Sequence, residues 1–197
     1  EHEFDVLQPE YFGAKGDGVT DDTTALKNTI IKIKSIRKLL LTKKYRKTEL
    51  LSYNGLVEGA QTSLDITQLG DSEIISDNCD GVKIQGIRKG EVQLNVALIN
   101  SPNAIHYGLE VSGVSIKFNL MARINDAVSN WKEGLHTIDN NECHFTYEVR
   151  GRGETMNSVD KKGIGHRLGY GINNSYVGCK TLYTEYGLYS SLEGSPL

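Results

Sequence analysis

The densest set of ionisable side chains in this 197-residue chain lies between positions 136 and 150: His136, Asp139, Glu142, His144, Glu148 and Arg150. A carboxyl beside an imidazole or a guanidinium is equipped for acid–base chemistry, one group moving a proton while the other holds the developing charge. In extended backbone, residues at even separations share a face. Glu142, His144, Glu148 and Arg150 therefore line one side of a strand, provided the strand is unbroken. Asp139 and Glu142 are the carboxylates expected to act, with His144 and Arg150 as supporting charges. Downstream, residues 150–163 form a polar, glycine-flanked stretch with charges of both signs, as an inserted loop would. Arg152, Glu154 and Asp160 of that stretch, with Trp131 and His136 before it, are the candidates for holding a substrate. The same residue types also suit ordinary exposed strand and loop positions.

A second acidic group, Asp17, Asp21 and Asp22, sits among Gly13, Gly16 and Gly18. A glycine-rich loop before a helix invites a phosphate, but neither the G-x-G-x-x-G nor the G-x-x-x-x-G-K-[ST] spacing is present, and three carboxylates would repel an anion. Their spacing is not that of a calcium-binding EF-hand loop either. Thr20, Asp21 and Asp22 fit a simpler role, accepting bonds from the unpaired N–H groups of a helix start. No cofactor and no metal is expected.

These residues must be positioned by two kinds of element. Ala25, Leu26, Thr29, Ile30, Ile33 and Ile36 recur at helical spacing, so 20–37 reads as an amphipathic helix with one apolar stripe. From residue 39 onward the pattern is of short alternating strands separated by Gly, Asn, Asp or Ser turns. Several strands share an opening: Gly81-Val82, Gly108-Leu109 and Gly134-Leu135 lie 27 and 26 residues apart. Gly171-Ile172 follows after 37 and Gly187-Leu188 after 16, which suggests about ten inserted residues and then a second strand within one coil. A period in this range signals a solenoid, in which one coil cannot bury its inward residues and stacking makes the core. The predicted division is 1–38, comprising an N-terminal strand, glycine loop and capping helix, and 39–197, comprising β-helix coils. Ile74, Ile84, Leu109, Ile116 and Leu135 should point inward. No C-terminal cap is visible in 190–197, so the β-helix is expected to be truncated at its C-terminus.

The wording of the opening is more specific than its pattern. Phe12-Gly13-Ala14-Lys15-Gly16-Asp17-Gly18-Val19-Thr20-Asp21-Asp22-Thr23, followed by an amphipathic helix, resembles the N-terminal signature of the pectate-lyase superfamily. The likeness spans about a dozen positions and, more loosely, the segment to residue 60. It implies an all-β fold: a right-handed, single-stranded parallel β-helix with an N-terminal capping α-helix. The group includes polysaccharide lyases, polygalacturonase-like glycosidases and bacteriophage tailspikes. The family's glycine-rich entry and Pro-Gly pair before Tyr-Arg are replaced here by residues 35–37 and 42–44, ahead of Tyr45-Arg46. The paired-aspartate and Gly-His-Gly motifs of polygalacturonases are absent, and Gly165-His166-Arg167 is a poor substitute. By resemblance, the chain is expected to be a tailspike-like depolymerase that binds and degrades a bacterial surface polysaccharide. The alternatives are a non-catalytic part of a viral tail appendage and a secreted lyase-like or polygalacturonase-like enzyme. A hydrolase would need two carboxyls about 5–5.5 Å or 6.5–9.5 Å apart; a lyase would need a base and a cation.

Composition narrows the partners. A net charge of −3 supplies no basic footprint for nucleic acid, and no apolar run approaches a membrane span. Cys79, Cys143 and Cys179 are odd in number and show no disulfide or C-x-x-C spacing. Reduced, buried thiols fit assembly inside a host cell, with a virion tail or extracellular destination. The tyrosines Tyr170, Tyr176, Tyr183, Tyr186 and Tyr189 suit packing or an interface between subunits. The resemblance implies a homotrimer in contact with other viral tail proteins.

Overall fold

The computed structural model describes residues 6–36, 38–57, 60–61, 63–100, 107–124, 133–150, 164–169, 171–182 and 186–190. Its strands stack in parallel on three faces. The first face runs from Lys38–Leu41 through Asp65–Gln68 to 91–94, 117–120, 144–147 and Ser175–Tyr176. The second holds Asp17–Asp21, Lys44–Lys47, Glu73–Asp77, 96–99, 122–124, 148–150 and Lys180–Leu182. The third holds Leu51–Asn54, 82–85, 109–111, Glu133–Thr137, Ile164–Leu168 and Tyr186–Ser190. Leu56–Val57 and Ala60–Gln61 form a small antiparallel hairpin beside them. The protein is a parallel β-solenoid.

Two strands, Val82–Ile99 and Tyr107–Ile124, are long because each passes round two corners without leaving the ladder. Alternation does the sorting: one side of each strand faces the core and the other faces solvent. Ile74, Ile84, Leu109, Ile116 and Leu135 are all buried in one continuous core, as the periodicity predicts. On the first face Leu39, Ile66, Val92, Phe118, Phe145 and Tyr176 occupy one inward column. The Phe118 and Phe145 rings stack 5.0 Å apart, and those of Phe145 and Tyr176 4.9 Å apart.

The glycine period has a steric cause. A Cβ built on Gly81 would lie 1.8 Å from the Gly108 carbonyl oxygen, and one on Gly108 would lie 2.8 Å from that of Gly134. Successive coils approach too closely at this edge for any side chain. Register carries the column on to Gly165 and Gly187, because Leu135 pairs with His166 and His166 with Leu188. The expected fourth member, Gly171, belongs elsewhere: it pairs with Asn140 at the corner between the third and first faces.

The glycine loop at the N-terminus is also more than a helix entry. Its Asp17–Asp21 segment is a strand, paired with Lys44–Lys47 as the first layer of the second face. The Asp17 carboxylate accepts bonds from the Val19 and Thr20 N–H groups, and these hold it at about 2, well below the usual range. The buried Asp22 carboxylate turns back to accept from Lys15 N (2.8 Å) and Gly16 N (3.0 Å), tying the loop instead of capping the helix. Asp21 does reach the helix start, accepting from Thr23 N at 3.0 Å. The helix Thr23–Ile36 then buries Leu26 and Ile33. Ile30 and Ile33 face the same apolar space as Leu39, Leu51 and Tyr53 of the first coil.

Candidate functional site

The corner between the first and second faces is concave. Leu94, Leu120 and Tyr147 turn inward at the bend, so the outward rows on either side lean toward one another. Gln93, Asn119 and Thr146 form the row on one side, each in register with the next. Asn95, Met121, Glu148 and Lys180 form the row on the other. Between them lies a groove of about 400 Å³, closed at one end by Gln68 and Ser72. Gln68 itself is fixed, its Nε2 donating to Ser72 O at 2.6 Å and its Oε1 accepting from Asn95 N.

A second depression of about 310 Å³ shares Asn95 and Met121 with the first and is lined by Lys44, Asp71, Glu73, Arg123 and Arg150. Arg123 and Arg150 sit side by side in register. Arg123 Nε donates to Glu73 Oε1 at 2.9 Å, and Arg150 Nε donates to Glu148 Oε1. The joined groove is mostly uncharged in its amide half, where Glu148 and Lys180 are the charged residues, and ionic in the other.

The described residues singled out in the sequence do not come together at one place. Arg150 lines the ionic half, and its partner Glu148 lines the amide half. His144 shares the outward face of the strand His144–Arg150 with them but lies off the groove, bonded through Nδ1 to the Ser175 hydroxyl. Asp139 and Glu142 stand at the exposed corner between the third and first faces, both left-handed, with φ of 49° and 54°. Glu142 is therefore not on the strand; it accepts from the Ser115 hydroxyl at 3.1 Å. That corner is built by asparagine: the buried Asn140 amide donates to Val111 O and Ile138 O, and Asn174 donates to Asn140 O at 2.7 Å. Trp131, Arg152, Glu154 and Asp160 lie outside the described residues.

His136 sits on the outer side of the third face, in the register row Lys83, Glu110, His136, Arg167. Lys83 Nζ lies 2.7 Å from Glu110 Oε1, and His136 Nδ1 lies 3.6 Å from Glu110 Oε2. Burial works to raise the Glu110 carboxyl, but the bonds to His136 and Lys83 outweigh it and leave it lowered.

His166 has a role that its sequence setting concealed. It is 1% exposed, on the inward side of its strand in register with Leu135. Nε2 lies 3.0 Å from Thr137 Oγ1 and Nδ1 3.0 Å from Tyr147 Oη. Burial pushes the imidazole down to about 4, with a smaller contribution from His136. It is a neutral core histidine. Glu73, Arg123 and the amide row were also not singled out. The amide row carries one sequence signal, a spacing of one coil that becomes visible once the period is known, whereas Glu73 and Arg123 are 50 residues apart and lie in different register rows.

No family model matches the chain, and no curated protein matches it. Among solved structures it is similar to ORF18 of Geobacillus virus E2, with a TM-score of 0.51 and 16% sequence identity over 88% of this chain. The match spans 41% of that longer protein. At this identity the likeness is one of fold: the chain is a parallel β-solenoid structurally similar to a phage gene product.

Proposed function

We propose that this solenoid belongs to a bacteriophage tail appendage and binds a bacterial surface polysaccharide along the concave groove. The observation that carries the proposal is the in-register row Gln93, Asn119, Thr146 facing Asn95, Met121 and Glu148. Successive strands lie about 4.8 Å apart, so the groove offers a repeated set of hydrogen-bonding groups to a repeating, hydroxyl-rich ligand. The likeness of 12–23 to the pectate-lyase superfamily opening and the phage origin of the similar structure support the setting. In that setting the coil is right-handed, as parallel crossovers overwhelmingly are. The chain assembles as a homotrimer with other tail proteins.

Cleavage is a second reading, favoured by the three carboxylates that line the joined groove, Asp71, Glu73 and Glu148. The test is binding of purified wall and capsular polysaccharides by the full chain, with released reducing ends and unsaturated products measured in parallel. Asn119→Trp, which fills the bend, should abolish binding without altering the fold. Undiminished binding by that variant would remove the groove from consideration. If Asp139→Asn and Glu142→Gln stop turnover while Glu148→Gln does not, the chemistry lies at the far corner instead.

A further inference from the structure

The ionic half of the groove presents its charges unequally. The Glu73 side chain is 6% exposed beneath an Arg123 side chain that is 40% exposed. Glu148 is 23% exposed beside an Arg150 that is also 40% exposed. Lys44 is exposed at the same depression. Glu73 and Glu148 are thus recessed and orient the guanidiniums; of the exposed charges at the depression, Lys44, Arg123 and Arg150 outnumber the single carboxylate of Asp71, so the surface that a ligand meets is net cationic. Two guanidiniums on neighbouring strands, which lie about 4.8 Å apart, would repel each other if Glu73 and Glu148 did not pair with them. An arginine fork is suited to planar, bidentate recognition of an oxyanion.

We infer that the polysaccharide is anionic, and that a carboxylate or phosphate it carries docks on Arg123 and Arg150 while its neutral sugar units lie along Gln93 and Asn119. Glu73 and Glu148 act as positioning residues for the two arginines. The inference rests on the groove being the glycan site, as proposed above.

The experiment titrates the full chain with three probes: an oligouronate, the same oligomer carboxyl-reduced to neutral hexoses, and a poly(glycerol phosphate). Affinity for one or both anionic probes should weaken steadily as salt rises, and the reduced oligomer should bind at least about tenfold more weakly. Preference between the oligouronate and the poly(glycerol phosphate) identifies the anion. Arg123→Gln and Arg150→Gln should each cost about tenfold toward the preferred anion and leave the reduced oligomer unaffected. Glu73→Gln should lower affinity for the anion without touching it, and a salt slope unchanged from the parent would separate positioning from direct contact. Equal binding of the charged and reduced oligomers, weakened alike by Asn119→Trp, would overturn the anionic assignment and leave the groove standing. Failure of all three probes to bind would overturn both.

Discussion

Acidification should loosen the solenoid through His166, and the size of the effect can be worked out in advance. The imidazole is buried among Thr137, Tyr147 and Tyr176, and its protonation is held down to about 4 from an ordinary 6.5. In the native state one ring nitrogen accepts a hydroxyl proton and the other donates. Protonation turns the acceptor into a second donor and forces a hydroxyl to rotate inside a packed core. Because the folded value lies below the unfolded one, the stabilisation is complete above pH 6.5 and is lost as pH falls from 6.5 toward 4. The gap corresponds to roughly 3 kcal/mol. Other groups titrate over the same range, so the informative quantity is a difference. Denaturant midpoints are measured from pH 7 to pH 4 for the parent and for His166→Phe. The variant should be less stable at pH 7, having left two hydroxyls without their partner, and the gap should close by about 3 kcal/mol at pH 4. A His136→Gln background removes the one other charge that acts on His166. A gap constant with pH, or an imidazole proton resonance titrating near 6.5, would refute the buried-neutral assignment.

Gly81→Ala should destabilise far more than Gly108→Ala, by about 4 kcal/mol or more, because its methyl group meets the Gly108 backbone at 1.8 Å against 2.8 Å at the next step; chemical denaturation ranks the two. Ile116→Asp places a charge at a fully buried position and removes about 1.5–3 kcal/mol of apolar burial, so it should not fold; a soluble variant with a cooperative melt would contradict the inward assignment. Deleting 1–38 strips the helix from Leu39, Leu51 and Tyr53 and removes a paired strand from Lys44–Lys47. Light scattering should then show aggregation, and a monodisperse truncation would count against a capping role.

The solenoid was legible in the sequence because its period is enforced by contact: Gly81, Gly108 and Gly134 recur where backbones touch. The column is lost from view after Gly134 because its next member in register, Gly165, comes after a step longer than 26 or 27 residues, and Gly171 offers a similar Gly-Ile pair at the wrong corner. Alternation placed Ile116 and Leu135 correctly. It did not place His166, whose polar type argued for the surface while its register with Leu135 argued for the core. The groove was hidden for a different reason. Val82–Ile99 and Tyr107–Ile124 bend at Leu94 and Leu120 with no glycine or proline there to mark the turn. Which rows come to face each other is decided by the direction of that bend, a property of the stacked coils. Arg150 and Glu148 were found because they lie close together in sequence; Glu73 and Arg123 are 50 residues apart.

Parallel in-register stacking also fixes how the protein bears load. The hydrogen bonds of its ladders run from strand to strand, along the solenoid axis, while the covalent chain runs around it. Tension along the axis pulls against one rung of bonds at a time, so coils should peel off in sequence at low force. Compression closes the same rungs onto the Phe118–Phe145–Tyr176 ring stack and the glycine column, where carbonyls already crowd the neighbouring coil. The molecule is a strut, stiff when pushed end-on and weak when pulled.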